Sequence, residues 1–558
     1  MANVVNTQGV TPMAAAVPSG PMGVGQPRAQ INPPQPGSAA VTTLGLPLVG
    51  QTFQGMTVTP WIDVGPGTYV AAQLDITRSV PKGTLAVLAN SAAGSFQAEF
   101  SGDGNGGVLQ TGAVALAQNT EHSVVFPAPS TSYVTGKMMR MVKYRFVPTS
   151  TVTVEGTLLT PPTSPQGNVQ TMAYTVDGLG FAIGSASSTF LDAYPYTDST
   201  TPLGTKTAAT ALGAAPNQCR FCPYPLTGLT LGGVSYGPTP GSNQYYLASA
   251  TGATLVITPL TAPAMTFGAN NIITGIVPTV AKSVSWHPGI TSPRTNGLGA
   301  SVQCPPGYFC AVGGTTGMSI VAFNPQNGTV GQIMSLSNVA NVGNITCLEF
   351  SPDGNFLMVG GATSPYLTIL PVYVTGSLAA GFTLNLDKAI PAPTIVPNAA
   401  LIACKWHPTM EQIFYVTGTS TYLFGQAFYF NTAGAKIPTG QYALFGGKVP
   451  CPTPTGAPAA FPDCLAISPD GGWLGFAASS NIASTFHAVY SIGDPMTGVG
   501  AAATLVAGAT GQTTATSIVW HPNNQTIITG GATSLFISIY PWLVGVDTAI
   551  TVQANTTN

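Results

Sequence analysis

Charge is what this chain has least of. Only 6% of its 558 residues are Asp, Glu, Lys or Arg, where an ordinary soluble domain carries about 25%. Fifteen basic and 17 acidic residues leave a net charge of -2. That balance excludes a general electrostatic hold on nucleic acid or on an anionic membrane. It also leaves little repulsion to keep copies apart, which suits a protein that works inside an assembly. No run of about 18 apolar residues is present, so no membrane insertion is expected. The opening MANVVNTQGVTP has no basic segment followed by an apolar one, so no secretory signal is expected. A His-Glu-x-x-His pair and a Walker loop are missing, which weakens the case for an enzyme.

Glycine and proline are abundant instead, at 66 and 49 residues. Residues 1–40 read as an extended Pro/Gly-rich arm, stiffened by the run INPPQPGSAA. Residues 41–162 read as a β-sandwich that anchors the protein. Its candidate strands are Met56–Thr59, Tyr69–Ile76, Thr84–Ala89, Gln97–Ser101, His122–Phe126, Arg140–Val147 and Val152–Leu159.

Residues 163–558 repeat one unit seven times. Its anchor is a turn centred on Val176, Pro223, Pro288, Pro352, Pro408, Pro469 and Pro522. Two residues earlier stands a large apolar group: Tyr174, Phe221, Trp286, Phe350, Trp406, Ile467 or Trp520. Four earlier stands Met172, Cys219, Val284, Leu348, Cys404, Leu465 or Ile518. Apolar residues at period two predict a strand packed on one face. A second apolar strand ending in small residues follows each turn, as in VGGAT and TGGAT, and then a third strand. Such a unit cannot bury both faces alone, but seven arranged radially can.

The Ser-Pro-Asp-Gly turns at 351–354 and 468–471 and the Trp-His-Pro turns at 286–288, 406–408 and 520–522 resemble the WD40 family of β-propellers. The Trp-Asp dipeptide and the Gly-His start of that family are absent. The repeat spacing also exceeds the usual 40–45 residues, with elongated loops such as Pro223–Asn243 and Gly289–Pro306. The resemblance implies an all-β chain ending in a seven-bladed propeller. Ala549–Gln553, or a segment near Val152–Leu159 or Asn168, would close the ring.

His287, His407 and His521 share one turn position. Equivalent positions of different blades lie too far apart for a common metal, so they read as turn caps and no metal or cofactor is expected. Asp353 and Asp470, with Asp177, read as carboxylates capping their own turns. Pro288, Pro352, Pro408, Pro469 and Pro522 are structural. Cys304 with Cys310, and Cys451 with Cys464, are candidate disulfides, with buried free thiols as the other reading. Lys137, Arg140, Lys143 and Arg145 form either a solvated face or a docking patch for an acidic neighbour. No pair of carboxylates is signalled by spacing, so no catalytic residue is assigned.

The expected role is a structural protein of a bacteriophage virion: a tail, fibre or capsid-decoration component, assembled in the host cytoplasm. Other virion proteins and further copies of the chain would be its partners, and the propeller would contact protein or a host-surface glycan. A propeller hydrolase or lyase acting on polysaccharide, with charges converging in the central funnel, is the alternative, as is a cell-surface adhesion or scaffold protein.

Overall fold

The computed structural model describes Leu159 and most of residues 167–542 with their side chains. It describes the strands of residues 51–148, Tyr442–Pro450, Val499–Ala502 and Ile550–Thr556 by backbone alone. The arm expected over 1–40 and the strand expected over Tyr69–Ile76 lie outside the described residues, as do Lys137, Cys451 and Asp470.

Seven antiparallel sheets follow one another along the chain. Their first strands are Val169–Tyr174, Pro216–Phe221, Ala281–Trp286, Ile345–Phe350, Leu401–Trp406, Leu465–Ile467 and Ala515–Trp520. Each first strand touches the next in that order, and the seventh touches the first. These are the seven blades of a closed propeller, and the first strands line its axis. The repeat unit read from the sequence is therefore one blade.

Two devices alternate at the seams between blades. At seams two–three, four–five and six–seven, three aromatic rings meet edge to face. Phe323 lies 4.8 Å from Tyr246 and 5.3 Å from Trp286. Phe428 lies 4.9 Å from both Phe356 and Trp406. Trp542 lies 5.3 Å from Trp473 and 4.6 Å from Trp520. Edge-to-face pairs add to the stabilisation from burial alone. The indole N–H groups of Trp286 and Trp406 also donate to the carbonyls of Arg220 and Glu349 in the preceding blade, at 2.9 and 3.0 Å.

At seams three–four, five–six and seven–one the histidines act. His287, His407 and His521 point Nε2 at the carbonyls of Gly354, Gly471 and Gly178, at 3.0, 2.7 and 3.0 Å. Each glycine belongs to the Asp-Gly turn of the next blade, or to its Val-Asp-Gly variant at 176–178. Each holds a left-handed backbone, with φ of 72°, 75° and 75°. Seven is odd, so seam one–two has neither device. There the Tyr245 hydroxyl donates to Asp177 at 2.7 Å.

Ring closure departs from one expected route. The seventh sheet has three strands among the described residues, and the Leu159 N–H bonds its third strand at Ile539 O, 2.8 Å. Ala549–Gln553 does not complete that blade. The strand Ile550–Thr556 instead pairs between Ile62–Val64 and Gly83–Ala89. A second sheet in the N-terminal region pairs Met139–Pro148 with Gly94–Gly102, setting Lys143 opposite Glu99, Arg145 opposite Gln97 and Arg140 opposite Ser101.

Candidate functional site

The anchor turns all lie at one end of the axis, and five of them, at Val176, Pro223, Pro408, Pro469 and Pro522, surround the mouth of a central cavity of about 540 Å³. Its walls are mainly apolar. Arg220, Glu349, Lys405 and Asp463 also line it. A chain with few charges has placed four of them at its axis.

The local cause is the register of the first strands. In every blade except the sixth, the pairing of first and second strands slips near the start of the first strand, as between Pro216 and Gln218 or between Ile345 and Cys347. A bulge adds one residue and shifts which side chains share a face. The positions four to two before the anchor lie beyond the bulge in regular register, so the residue three before it alternates with the buried apolar pair and takes the other side of the strand. Arg220, Glu349 and Lys405 hold that position in blades two, four and five. In blade six a 3-10 turn, Pro462–Cys464, replaces the start of the strand. It touches the first strands of blades one, two, five and seven and carries Asp463 across the axis.

Asp463 is 3% exposed and fully engaged. Arg220 grips it with both terminal nitrogens, Gln218 Nε2 donates at 2.8 Å, and the Thr171 hydroxyl donates as well. Burial alone would raise its pKa. The Arg220 charge, the hydrogen bonds and Lys405 outweigh burial and hold the carboxyl below its ordinary value. Glu349 receives Lys405 Nζ at 2.8 Å on one oxygen and the Trp406 N–H at 2.7 Å on the other. Two cations and two carboxylates thus form two ion pairs of zero net charge.

Side chains also cover the free edges of the first strands of blades two, three and four. Cys219 N–H donates to Thr171 Oγ1, Val284 N–H to Gln218 Oε1, Leu348 N–H to Ser283 Oγ and Phe350 N–H to Ser285 Oγ, at 2.8–3.2 Å. In each case the acceptor comes from the preceding blade.

The turn residues named from sequence sit around the mouth and at the seams. His287 Nδ1 accepts the Gly289 N–H at 3.2 Å while its Nε2 faces Gly354 O, which fixes the neutral ring with its proton on Nε2. Burial pushes its pKa down to about 4. Asp177 accepts the Leu179 N–H and Asp353 the Asn355 N–H, both at 3.1 Å. Asp353 also pairs with Arg294 at 3.0 Å, from the long loop of blade three. Of the two readings of the cysteines, the structure shows the free thiols and not the disulfides. Cys304, Cys310 and Cys464 are buried free thiols; Cys304 Sγ faces Pro305 O at 3.4 Å. No group of three or more His, Cys, Asp or Glu among the described residues is placed to hold a metal ion.

Fold and site together define a seven-bladed β-propeller with a charge-paired axial cavity. The family model of the WD domain, G-beta repeat (WD40) matches residues 335–364, from the end of the third blade through the first two strands of the fourth. No curated protein matches the chain. Among solved structures, the beta-propeller domain of Myceliophteria thermophila Cps50 (Swd1) is similar at 11% identity and a TM-score of 0.41. The similarity covers 69% of this chain and 99% of that one. Kuenenia stuttgartiensis hydrazine synthase is similar at 10% identity and a TM-score of 0.39, covering 68% and 97%.

Proposed function

We propose that the protein is a non-catalytic structural component of a bacteriophage virion, anchored by its N-terminal region, whose propeller contacts other proteins or the host surface. The observation that carries the non-catalytic reading is the pairing at the axis. A polysaccharide hydrolase or lyase needs a carboxyl group free to move a proton. Asp463 and Glu349 converge on the cavity, yet both oxygens of each are occupied by donors. The nearly uncharged composition supports the assembly reading, because a surface of Thr, Ser, Gly and Asn packs against copies and partners with little charge to desolvate. The test is mass spectrometry with stoichiometry on salt-washed particles from the source culture. The expected result is this chain at a fixed multiple of five, six or twelve copies per particle. Finding it free, or on the cell envelope instead, overturns the virion reading and favours an adhesion or scaffold role.

A further inference from the structure

The unused hydrogen-bonding capacity of the axial cavity is mostly donor. Asp463 is saturated, with two donors on each oxygen, while Glu349 accepts one on each. Arg220 gives Nη1 to Cys219 O and Asp463 and one Nη2 hydrogen to Asp463. Among the described residues nothing takes its Nε–H or its second Nη2 hydrogen. Lys405 gives one hydrogen to Glu349, and its other ammonium hydrogens are likewise untaken. Both cations line the cavity. The floor therefore offers more donors than acceptors, with Glu349 able to take one further hydrogen on each oxygen. The floor's net charge is zero, so a ligand bearing a charge would face a like charge without a free counter-ion.

The walls narrow the class further. They are largely apolar, formed by anchor prolines with Val176, Ile467 and Val519. In blades two, three and four the strand edges that could pair with an extended peptide are already capped by side chains of the preceding blade. A main chain entering along those edges finds no ladder to extend. What fits is compact, neutral and rich in oxygen acceptors, with an apolar side to set against the walls.

We propose that the axial cavity binds an N-acetylated sugar residue of a surface polysaccharide, its amide carbonyl and hydroxyl oxygens accepting from Arg220 and Lys405 and its methyl group against the apolar wall. This deepens the host-contact reading above and rests on it.

The test is saturation-transfer NMR and calorimetry on the full-length protein with N-acetylglucosamine and its β-1,4 dimer. Glucose, glucosamine, glucuronate and an N-acetylated tripeptide are run beside them. The expected result is binding of the N-acetyl sugars, with glucose weaker by tenfold or more and the cationic sugar not bound. Ala466 lines the same cavity. Ala466→Phe should fill it and weaken binding at least tenfold, and a thermal melt within a few degrees of the parent shows the fold intact. Lys405→Gln with Glu349→Gln, which keeps a neutral pair but removes the ammonium donors, should also weaken binding. Absence of sugar binding, binding unchanged in Ala466→Phe, or preference for the acetylated peptide each overturns the inference. None of these outcomes bears on the particle stoichiometry, so the virion reading stands or falls separately.

Discussion

Asp463 and Arg220 lie 243 positions apart in sequence yet form the central pair of the axis. Removing one partner of a buried pair leaves the other charge without a counter-ion, which costs several kcal/mol. Asp463→Asn should lower the unfolding free energy by about 3 kcal/mol, because Arg220 would keep its charge among the first strands. The double change Asp463→Leu with Arg220→Met should recover most of that loss. Denaturant titration of the two single variants and the double variant checks it; additive losses would show that the pair is not coupled. At Gly354 a Cβ would stand 2.1 Å from Gly289 O, on a backbone with φ of 72°. Gly354→Ala should cost about 2–3 kcal/mol by the same titration, from left-handed strain plus displacement of the His287 contact. Sequence reading found these glycines and histidines because a turn is a local signal. It missed Arg220, Glu349, Lys405 and Asp463. Strict alternation from the apolar positions two and four before each anchor puts position three on the other side of the strand. That this side meets the axis depends on how the blades stack around the ring. The signal available was the charges themselves: three of so few fall at the same offset from their anchors.

At the scale of the element, the seven first strands were legible because their apolar period and anchor turns repeat. Ring closure was legible only as alternatives, of which the segment near Val152–Leu159 supplies Leu159 and Ala549–Gln553 does not serve; fourth strands were not legible, because an edge pairing is decided by chain far away in sequence. Leu159 bonds the last blade from just before the propeller segment, and Ile550–Thr556 leaves the ring for a sheet with Gly83–Ala89. A proline has no N–H to give. Leu159→Pro should therefore remove the bond to Ile539 O and destabilise the ring by about 1–3 kcal/mol. Hydrogen exchange should locate the loss, with protection falling first in Ile537–Pro541 and Thr526–Gly531 while blades three to five stay protected. Uniform loss across all seven blades would mean that the ring is not closed at this point. The alternation of aromatic and histidine seams was half legible. Trp-His-Pro and Asp-Gly turns alternate from blade three onward in the sequence, but the reach of each histidine to the following blade depends on how the sheets stack.

At the scale of the whole molecule, titration confines stability to a window of pH. His287 is held neutral by burial, and its pKa falls from 6.5 to about 4. A depressed folded value means that its stabilising contribution is complete above about 6.5 and is lost as pH falls toward 4. The loss is on the order of 3 kcal/mol for this ring. Asp463 is also depressed, through Arg220 acting against burial, so its contribution is present above its ordinary value and disappears at still lower pH. The alkaline side has the opposite sign. Burial raises the Cys219 and Cys222 thiols from 9.0 to about 12, and the Tyr224 and Tyr246 hydroxyls from 10.0 to about 12. A raised folded value stabilises fully below the unfolded value and is lost as pH climbs past it. The folded ring should therefore be most stable from about pH 6.5 to 9, weaken in two steps on the acid side, and weaken more steeply above pH 9, where several thiols act together. Denaturation midpoints measured from pH 3 to 11 at constant ionic strength test this. In His287→Gln the step between pH 6.5 and 4 should shrink, while the step below it, which belongs to Asp463, stays. A midpoint that rises on acidification through pH 6 would mean that His287 gains a proton in the folded ring, and the neutral histidine seam would have to be abandoned.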